Sequence, residues 1–367
     1  MQIAFDARSL NTGGTGDSTY LRELVVALAA ANPDDQYCLY ANAPDAARDD
    51  LANAFDNVSA HSLPYKIGWL WNQNALAPHL EEQGIALLHS QYLLPRRFKG
   101  AKIVTIHDVS FREHPEWFPA RPRFIMNLLI PRSARTADVI ITGSEHARQA
   151  IAQTCNVSLN KIIVTPYAAG AWAKQVDGEA HKDILQKYFL EAPFLLGVGL
   201  RGIRKNNQII IKALDILARQ HQIPHIKLAL CGSADQFPDE VASYSNVQFL
   251  GWVPQEDLPA LYAHAAAAVY PSLYEGFGLP VLEAMACGCP MICSNATSLP
   301  EVAGDAALQI DPHDAGAWAE AITKVLLDEA LREKMIDGGL KRAREFSWER
   351  TARETREIYT RFADERK

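Results

Sequence analysis

The sequence predicts an α/β protein of two domains, each a parallel sheet flanked by helices. Three observations carry this. Short apolar runs such as Gln2-Ile-Ala-Phe-Asp6, Ile103-Val-Thr-Ile-His107 and Ala266-Ala-Ala-Val-Tyr270 alternate with stretches of helical periodicity, as in βαβ units. The loops that follow several of these runs are rich in glycine and charge, and open α/β sheets bind their ligands at the carboxyl ends of strands. Finally, 367 residues are more than one core of this class needs, and residues 171–190 interrupt the alternation with a polar, helical-looking stretch that fits a connection.

Composition narrows the functional classes. A hydrophobic fraction of 48% with 22% charged residues is that of a globular enzyme, and a net charge of -7 argues against a general nucleic-acid binder. No apolar run is long enough to span a bilayer. The chain begins directly as a strand, without a basic head or long apolar segment, so a cytoplasmic location is expected. Its six cysteines are spread through the chain in the manner of reduced thiols. The cluster Cys287-Gly-Cys289-(x)3-Cys293 contains no His and straddles a helix end and a strand, which reads as core and not as a zinc site.

In chain order, residues 2–6 form a strand, and Asp6-Ala-Arg-Ser-Leu-Asn-Thr-Gly13-Gly14-Thr15-Gly16 is the loop after it. A helix follows with the stripe Leu21, Leu24, Val25, Leu28 and Ala29, capped by Asp17 or Ser18. The glycine loop lacks the third Gly of a dinucleotide fingerprint. Tyr37-Cys-Leu-Tyr40 and Ile85-Ala-Leu-Leu-His89 read as further strands, the second leading into Ser-Gln-Tyr92. The run at 103–107 ends in His107-Asp108, again at a strand's carboxyl end. A helix closing at Ala137, a strand from Asp138 to a capping Ser144, another helix, and the strand at 162–167 complete the first series.

The second series opens with Pro193-Phe-Leu-Leu-Gly-Val-Gly199. Gly197-Val-Gly199-Leu-Arg-Gly202 has the letters of a dinucleotide motif, but the polar loop runs on to Lys205 before Asn206 caps a helix over 209–217, and Asp215 lies inside that helix. An oxidoreductase is therefore disfavoured. A strand follows at 226–231, ending at Gly232, and the next covers Val247-Gln-Phe-Leu-Gly251-Trp252-Val253. Another strand covers 290–295, then a short helix lies within 297–304, and helices over 317–327, 329–346 and 354–362 finish the chain.

The stretch that organises the second series is Ser272-Leu-Tyr-Glu275-Gly276-Phe277-Gly278-Leu279-Pro280-Val-Leu-Glu283-Ala-Met-Ala-Cys-Gly288. Pro280 suits a first helical turn and Gly288 the residue past the end. Helix N-terminal N–H groups attract an anion, Gly276 and Gly278 let the backbone approach it, and Glu275 with Glu283, placed in the first turn, can take paired sugar hydroxyls. This pattern resembles the donor-site signature of retaining glycosyltransferases of family 4, which have the GT-B fold: two Rossmann-like domains facing a cleft, with the terminal helix crossing back to the N-domain. The resemblance implies an N-terminal acceptor-side domain over 1–175, a nucleotide-sugar domain over 190–345 and a crossover helix over 346–367, with the boundary near 170–190.

By the same resemblance, Arg204 and Lys205 hold the diphosphate, Glu275 binds the transferred sugar, Glu283 the ribose, and the backbone of residues 276–279 the phosphates. Gly14 and Gly199 line the donor, while Gly232, Trp252 and Val253 border its base, Trp252 reading equally as core packing. Gly13, Gly14, Thr15, Tyr92, His107 and Asp108 face the acceptor, and His107 lies close to the transferred sugar. Relatives often carry Arg where this chain has Leu200, a charge that Arg204 would supply, and Tyr167-Ala-Ala-Gly170 departs from the usual Asn-Gly-Val-Asp. No Asp-x-Asp motif stands at a suitable strand end, so neither metal nor other cofactor is expected. Phe5-Asp-Ala-Arg-Ser-Leu10 and Ser294-Asn-Ala-Thr-Ser-Leu-Pro-Glu301-Val302 are most similar to bacterial mannosyltransferases of polysaccharide assembly. GDP-mannose is thus the expected donor and a glycan or lipid-linked sugar the acceptor. UDP-sugar transfer, nucleotide-sugar hydrolysis or epimerisation, and sugar binding without turnover are the alternatives. No strongly basic amphipathic helix stands out, which leaves peripheral membrane contact open.

Overall fold

A computed structural model of the chain describes residues 1–12, 15–43, 46–178, 181–199, 202–220, 226–237 and 239–364. It separates into two compact units: Met1–Tyr167 with Ser347–Lys367, and Ala168–Phe346. The division after Tyr167 falls a few residues before the expected 170–190 window. Residues 171–190 are largely irregular, the helix Asp183–Lys187 apart, so the helical reading of this connection does not hold among its described residues.

The first unit is built on seven parallel strands: β1 (Gln2–Asp6), β2 (Gln36–Ala41), β3 (Val58–Ser62), β4 (Leu87–Gln91), β5 (Ala101–Thr105), β6 (Val139–Thr142) and β7 (Ile162–Val164). Their order is β3-β2-β1-β4-β5-β6-β7. The order reverses between β1 and β4, and the loops after these two strands diverge to opposite faces, which opens a crevice at their carboxyl ends. The apolar runs are strands because both faces of a parallel sheet are covered, and Ile3, Leu39, Leu88, Ile103 and Ile140 are fully buried.

Thr15, and not Asp17 or Ser18, caps the first helix, Gly16–Ala31: its hydroxyl accepts from Ser18 N at 3.3 Å. The final helix, Trp348–Asp364, begins well before the expected residue 354 and packs along Gly16–Ala31. Thr351 Oγ1 donates to Pro166 O at 2.5 Å, Arg356 pairs with Asp35 at 2.8 Å, and Tyr359 OH meets His89 Nδ1 at 2.6 Å. The chain's end is therefore an integral wall of the first unit.

The second unit has six parallel strands: β8 (Phe194–Gly197), β9 (Lys227–Leu230), β10 (Val247–Phe249), β11 (Ala267–Tyr270), β12 (Met291–Ser294) and β13 (Leu308–Ile310), in the order β10-β9-β8-β11-β12-β13. Helix Asn207–Arg219 buries Ile209, Ile210, Ala213, Leu214 and Leu217 and packs against helix Ala315–Leu327. The reversal point lies between β8 and β11, which pair through Leu195 with Ala267 and Leu196 with Ala268. The loops that follow these two strands consequently leave the sheet side by side. Among the described residues no helix is long and apolar enough to cross a membrane.

Candidate functional site

The two loops at the β8/β11 reversal are stitched together by backbone and side-chain bonds. Leu273 N donates to Arg204 O at 2.8 Å, and Asn206 Nδ2 donates to Pro271 O at 3.2 Å and to Pro312 O at 2.7 Å. Asn206 sits in the left-handed region at φ 54° and makes no side-chain cap. It is a tether between loops, in place of the expected helix cap. This arrangement aims Lys205 inward.

Lys205 and Glu275 are both buried and form an ion pair at 2.5 Å, with side chains 11% and 8% exposed. Three donors converge on a single carboxylate oxygen: Glu275 Oε1 accepts from Lys205 Nζ at 2.5 Å, Ser272 Oγ at 2.5 Å and Tyr270 OH at 3.1 Å. Lys205 Nζ also donates to Tyr270 OH at 2.6 Å and lies over that ring. Burial pushes the Glu275 carboxyl up, but the charges of Lys205 and Arg204 and the bonds from Lys205 and Ser272 outweigh it and hold the group below the usual carboxylate range. Burial also drives the Tyr270 hydroxyl well up, with the Glu275 charge adding to it, so Tyr270 stays a donor. Glu275 Oε2 takes no hydrogen bond among the described residues. It is the acceptor left for a ligand hydroxyl.

Backbone geometry fixes the rest of the motif. Glu275 N donates to Thr297 Oγ1 at 3.0 Å, and Ser298 Oγ bonds the carbonyls of Glu275 at 2.9 Å and Phe277 at 2.8 Å. Gly278 precedes helix Leu279–Ala286 at φ 112°, where a Cβ would lie 2.5 Å from Leu299 Cδ2. Only glycine fits there. Pro280 occupies the first turn and Gly288 follows the end at φ 74°, as expected. Glu283 is the fifth helical residue, so it belongs to the second turn and not the first. It is buried, and its charge acts on the Tyr262 and Cys287 hydroxyl and thiol groups. Gly199, at φ 67°, lies against Pro280, which brings the β8 loop to the start of this helix.

Gly232 and Gly251 exchange backbone bonds at 2.8 Å and 3.1 Å, closing the loops after β9 and β10 together. Trp252 is 76% exposed, so it is not core packing, while Val253 is buried. The Cys287, Cys289 and Cys293 thiols are buried and free.

In the first unit, His107 follows β5 and is buried. Its Nδ1 meets Tyr167 OH at 2.8 Å and its Nε2 meets Gln91 Oε1 at 2.7 Å. Tyr20 and Tyr92 pack edge-on against the ring. Burial lowers its pKa against the opposing pull of Asp17 and Asp108, which keeps the imidazole neutral. A sugar hydroxyl reaching Nε2 would have to compete with the Gln91 amide. Asp108 Oδ1 accepts from Ser110 N at 2.9 Å and Ser110 Oγ at 2.7 Å, which orders the turn after β5. Tyr92 holds φ 60° and donates its N–H to Thr105 O. Gly13 and Gly14 lie outside the described residues, as do Leu200 and Arg201. Tyr270 and Ser272, which bond the Glu275 carboxylate, were not among the expected site residues.

Residues 178–342 match the family model described as Glycosyl transferases group 1, and residues 14–168 match Glycosyltransferase Family 4. The O-antigen chain mannosyltransferase B of Escherichia coli is 33% identical, covering 98% of this chain and 99% of that protein. The chain belongs to glycosyltransferase family 4. A D-inositol 3-phosphate glycosyltransferase of Corynebacterium jeikeium is 28% identical over 84% of this chain and 80% of its own length. Among solved structures, a glycosyltransferase from Rickettsia africae matches with a TM-score of 0.75 at 15% identity over 98% of both chains. WaaG, a glycosyltransferase involved in lipopolysaccharide biosynthesis, matches at 0.74 and 16% identity over 98% of this chain and 99% of its own. These likenesses show the GT-B fold. In this family 4 glycosyltransferase the signature residues Lys205, Glu275 and Gly278 sit at the reversal point of the second sheet, where ligands of open α/β sheets bind.

Proposed function

We propose that this glycosyltransferase is a cytoplasmic enzyme that moves mannose from GDP-mannose to a glycan or lipid-linked acceptor, with retention of anomeric configuration and without a metal. The observation that carries the reading is the Glu275 carboxylate: one oxygen is clamped by Lys205, Ser272 and Tyr270, and the other is left to accept from a sugar hydroxyl. A buried, ionised carboxylate of this kind orients a sugar by accepting from its hydroxyls.

Arg204 and Lys205 supply the positive charge that a departing nucleoside diphosphate needs, in a site where low dielectric strengthens it. Backbone N–H groups at the start of helix Leu279–Ala286 assist the phosphates. Glu283 takes the ribose hydroxyls, and Trp252, with Val253 and Gly232, borders the base. His107, Asp108, Tyr92, Thr15 and the Gly13-Gly14 loop serve the acceptor side. Retention follows if the acceptor attacks the face from which the phosphate leaves and that phosphate takes its proton. The mannosyl donor rests on the 33% identity to a protein called a mannosyltransferase.

Thermal unfolding with GDP, UDP, ADP and their sugar conjugates, in EDTA, tests the donor. GDP at 100 times its dissociation constant should add about 2.7 kcal/mol of stability if it binds only the folded protein. A response confined to UDP moves the donor to a UDP-sugar. No response to any nucleotide overturns the site.

A further inference from the structure

Between β12 and the short helix Leu299–Ala303 the chain turns sharply on a residue ill suited to the turn. Leu299 N donates to Ala296 O at 3.2 Å, which closes four residues with Thr297 and Ser298 at their centre. Thr297 has φ 54°, and Ser298 follows at φ -81° and ψ -12°. Turns with a positive φ at the second position are dominated by Gly, Asn and Asp, because a side chain branched at Cβ crowds the backbone there. Thr297 is thus a strained residue beside the candidate site.

What its side chain reaches accounts for the strain. Thr297 Oγ1 accepts from Glu275 N at 3.0 Å, across 22 residues of sequence. The neighbouring hydroxyls hold carbonyls of the same loop: Ser294 Oγ donates to Ser272 O at 2.5 Å, and Ser298 Oγ bonds the carbonyls of Glu275 and Phe277 at 2.9 Å and 2.8 Å. Lys205, Ser272 and Tyr270 clamp one carboxylate oxygen of Glu275, while the Thr297 hydroxyl fixes the N–H of the residue that carries it. A fixed N–H sets the direction of the Cα–Cβ bond. It therefore decides where the second carboxylate oxygen points.

We propose that Thr297 is a positioning residue for Glu275: its hydroxyl, brought into reach by the left-handed turn, holds the Glu275 backbone so that the free carboxylate oxygen faces the transferred sugar. This role rests on the proposed sugar binding by Glu275 and adds the group that aims it.

The test measures sugar transfer by variants of the full chain, from GDP-mannose or, if only UDP binds the parent, from a UDP-sugar. Thr297→Val keeps the shape and removes the hydroxyl; kcat/KM should fall at least about tenfold, because a small misplacement of a group that orients substrate is costly in rate. Thr297→Gly takes the turn without strain but lacks the hydroxyl, so it should fall by a similar factor, and it serves where Thr297→Val does not fold. Thr297→Ser keeps the hydroxyl and should stay within about threefold of the parent. Calorimetric affinity for the bare nucleoside diphosphate, which has no sugar to orient, should remain near parental in all three. In the Glu275→Ala background Thr297→Val should cost no more than about twofold further, since the group it aims is gone. Parental turnover in Thr297→Val or Thr297→Gly, a loss in Thr297→Ser equal to theirs, a matching loss of diphosphate affinity, or an undiminished loss in the Glu275→Ala background would each overturn the proposal. A near-parental rate in Glu275→Ala would remove the sugar role of Glu275 and this proposal with it, whereas a loss there without one in Thr297→Val removes this proposal alone.

Discussion

Replacing Lys205 by Met removes one partner of a buried ion pair and leaves the Glu275 carboxylate uncompensated. Breaking such a pair costs about 3–5 kcal/mol. Ser272 and Tyr270 still bond Oε1 in the variant, which places the loss near the lower end, about 3 kcal/mol. Glu275→Gln removes the negative charge opposite the buried Lys205 ammonium, a comparable loss. The double variant removes both charges at once, so its loss should fall about 2–3 kcal/mol short of the sum of the two. Equilibrium unfolding in urea of the four proteins measures this coupling. The pH dependence adds a second constraint. Glu275 has a depressed folded pKa, so it contributes stability above its ordinary value of 4.5 that is lost as pH falls below it. In Lys205→Met burial dominates and raises that pKa, and the variant should approach the parent as pH falls through the carboxylate range. Losses additive to within about 0.5 kcal/mol, with a pH-independent gap, would refute the mutual dependence of the two groups.

Gly278→Ala places a Cβ at φ 112° and 2.5 Å from Leu299 Cδ2; about 1–3 kcal/mol should be lost, with nucleotide binding weakened, as calorimetry would read. Tyr359→Phe removes the 2.6 Å bond to buried His89 and should cost about 1–3 kcal/mol while sparing turnover per folded molecule. Burial, with the nearby His107 adding, lowers the His89 pKa from 6.5 to about 3. The unfolded chain therefore binds the proton first, and stability should fall by up to about 1.4 kcal/mol per pH unit below 6.5, levelling near 3. Urea midpoints between pH 6.5 and 5 check the slope, which His89→Gln should reduce; His107, whose pKa burial also lowers, acts in the same direction.

Strands buried on both faces were legible because their apolar runs are continuous: β1, β8 and β11 lie where the sequence places them, while β5 begins and ends two residues earlier than the run at 103–107. The edge strands β3 and β13 were not seen. Val58-Ser-Ala-His-Ser62 and Leu308-Gln-Ile310 are short, half-buried and mixed in polarity, so only pairing with a neighbour makes them strands. Lys205 and Glu275 could each be read as ligand groups from their loops, but their bond to one another spans 70 residues and arises from the adjacency of β8 and β11. Tyr270 looked like the apolar end of a strand, and nothing local marks its hydroxyl as a partner of Glu275.

The most direct measurement is the rate of mannose transfer from GDP-mannose to a mannosylated acceptor in EDTA, for the parent and for Glu275→Ala. The account predicts an α-linked product from the parent and a fall of at least about 100-fold in the variant, with its fold intact. A near-parental rate in Glu275→Ala, or a β-linked product, would contradict it.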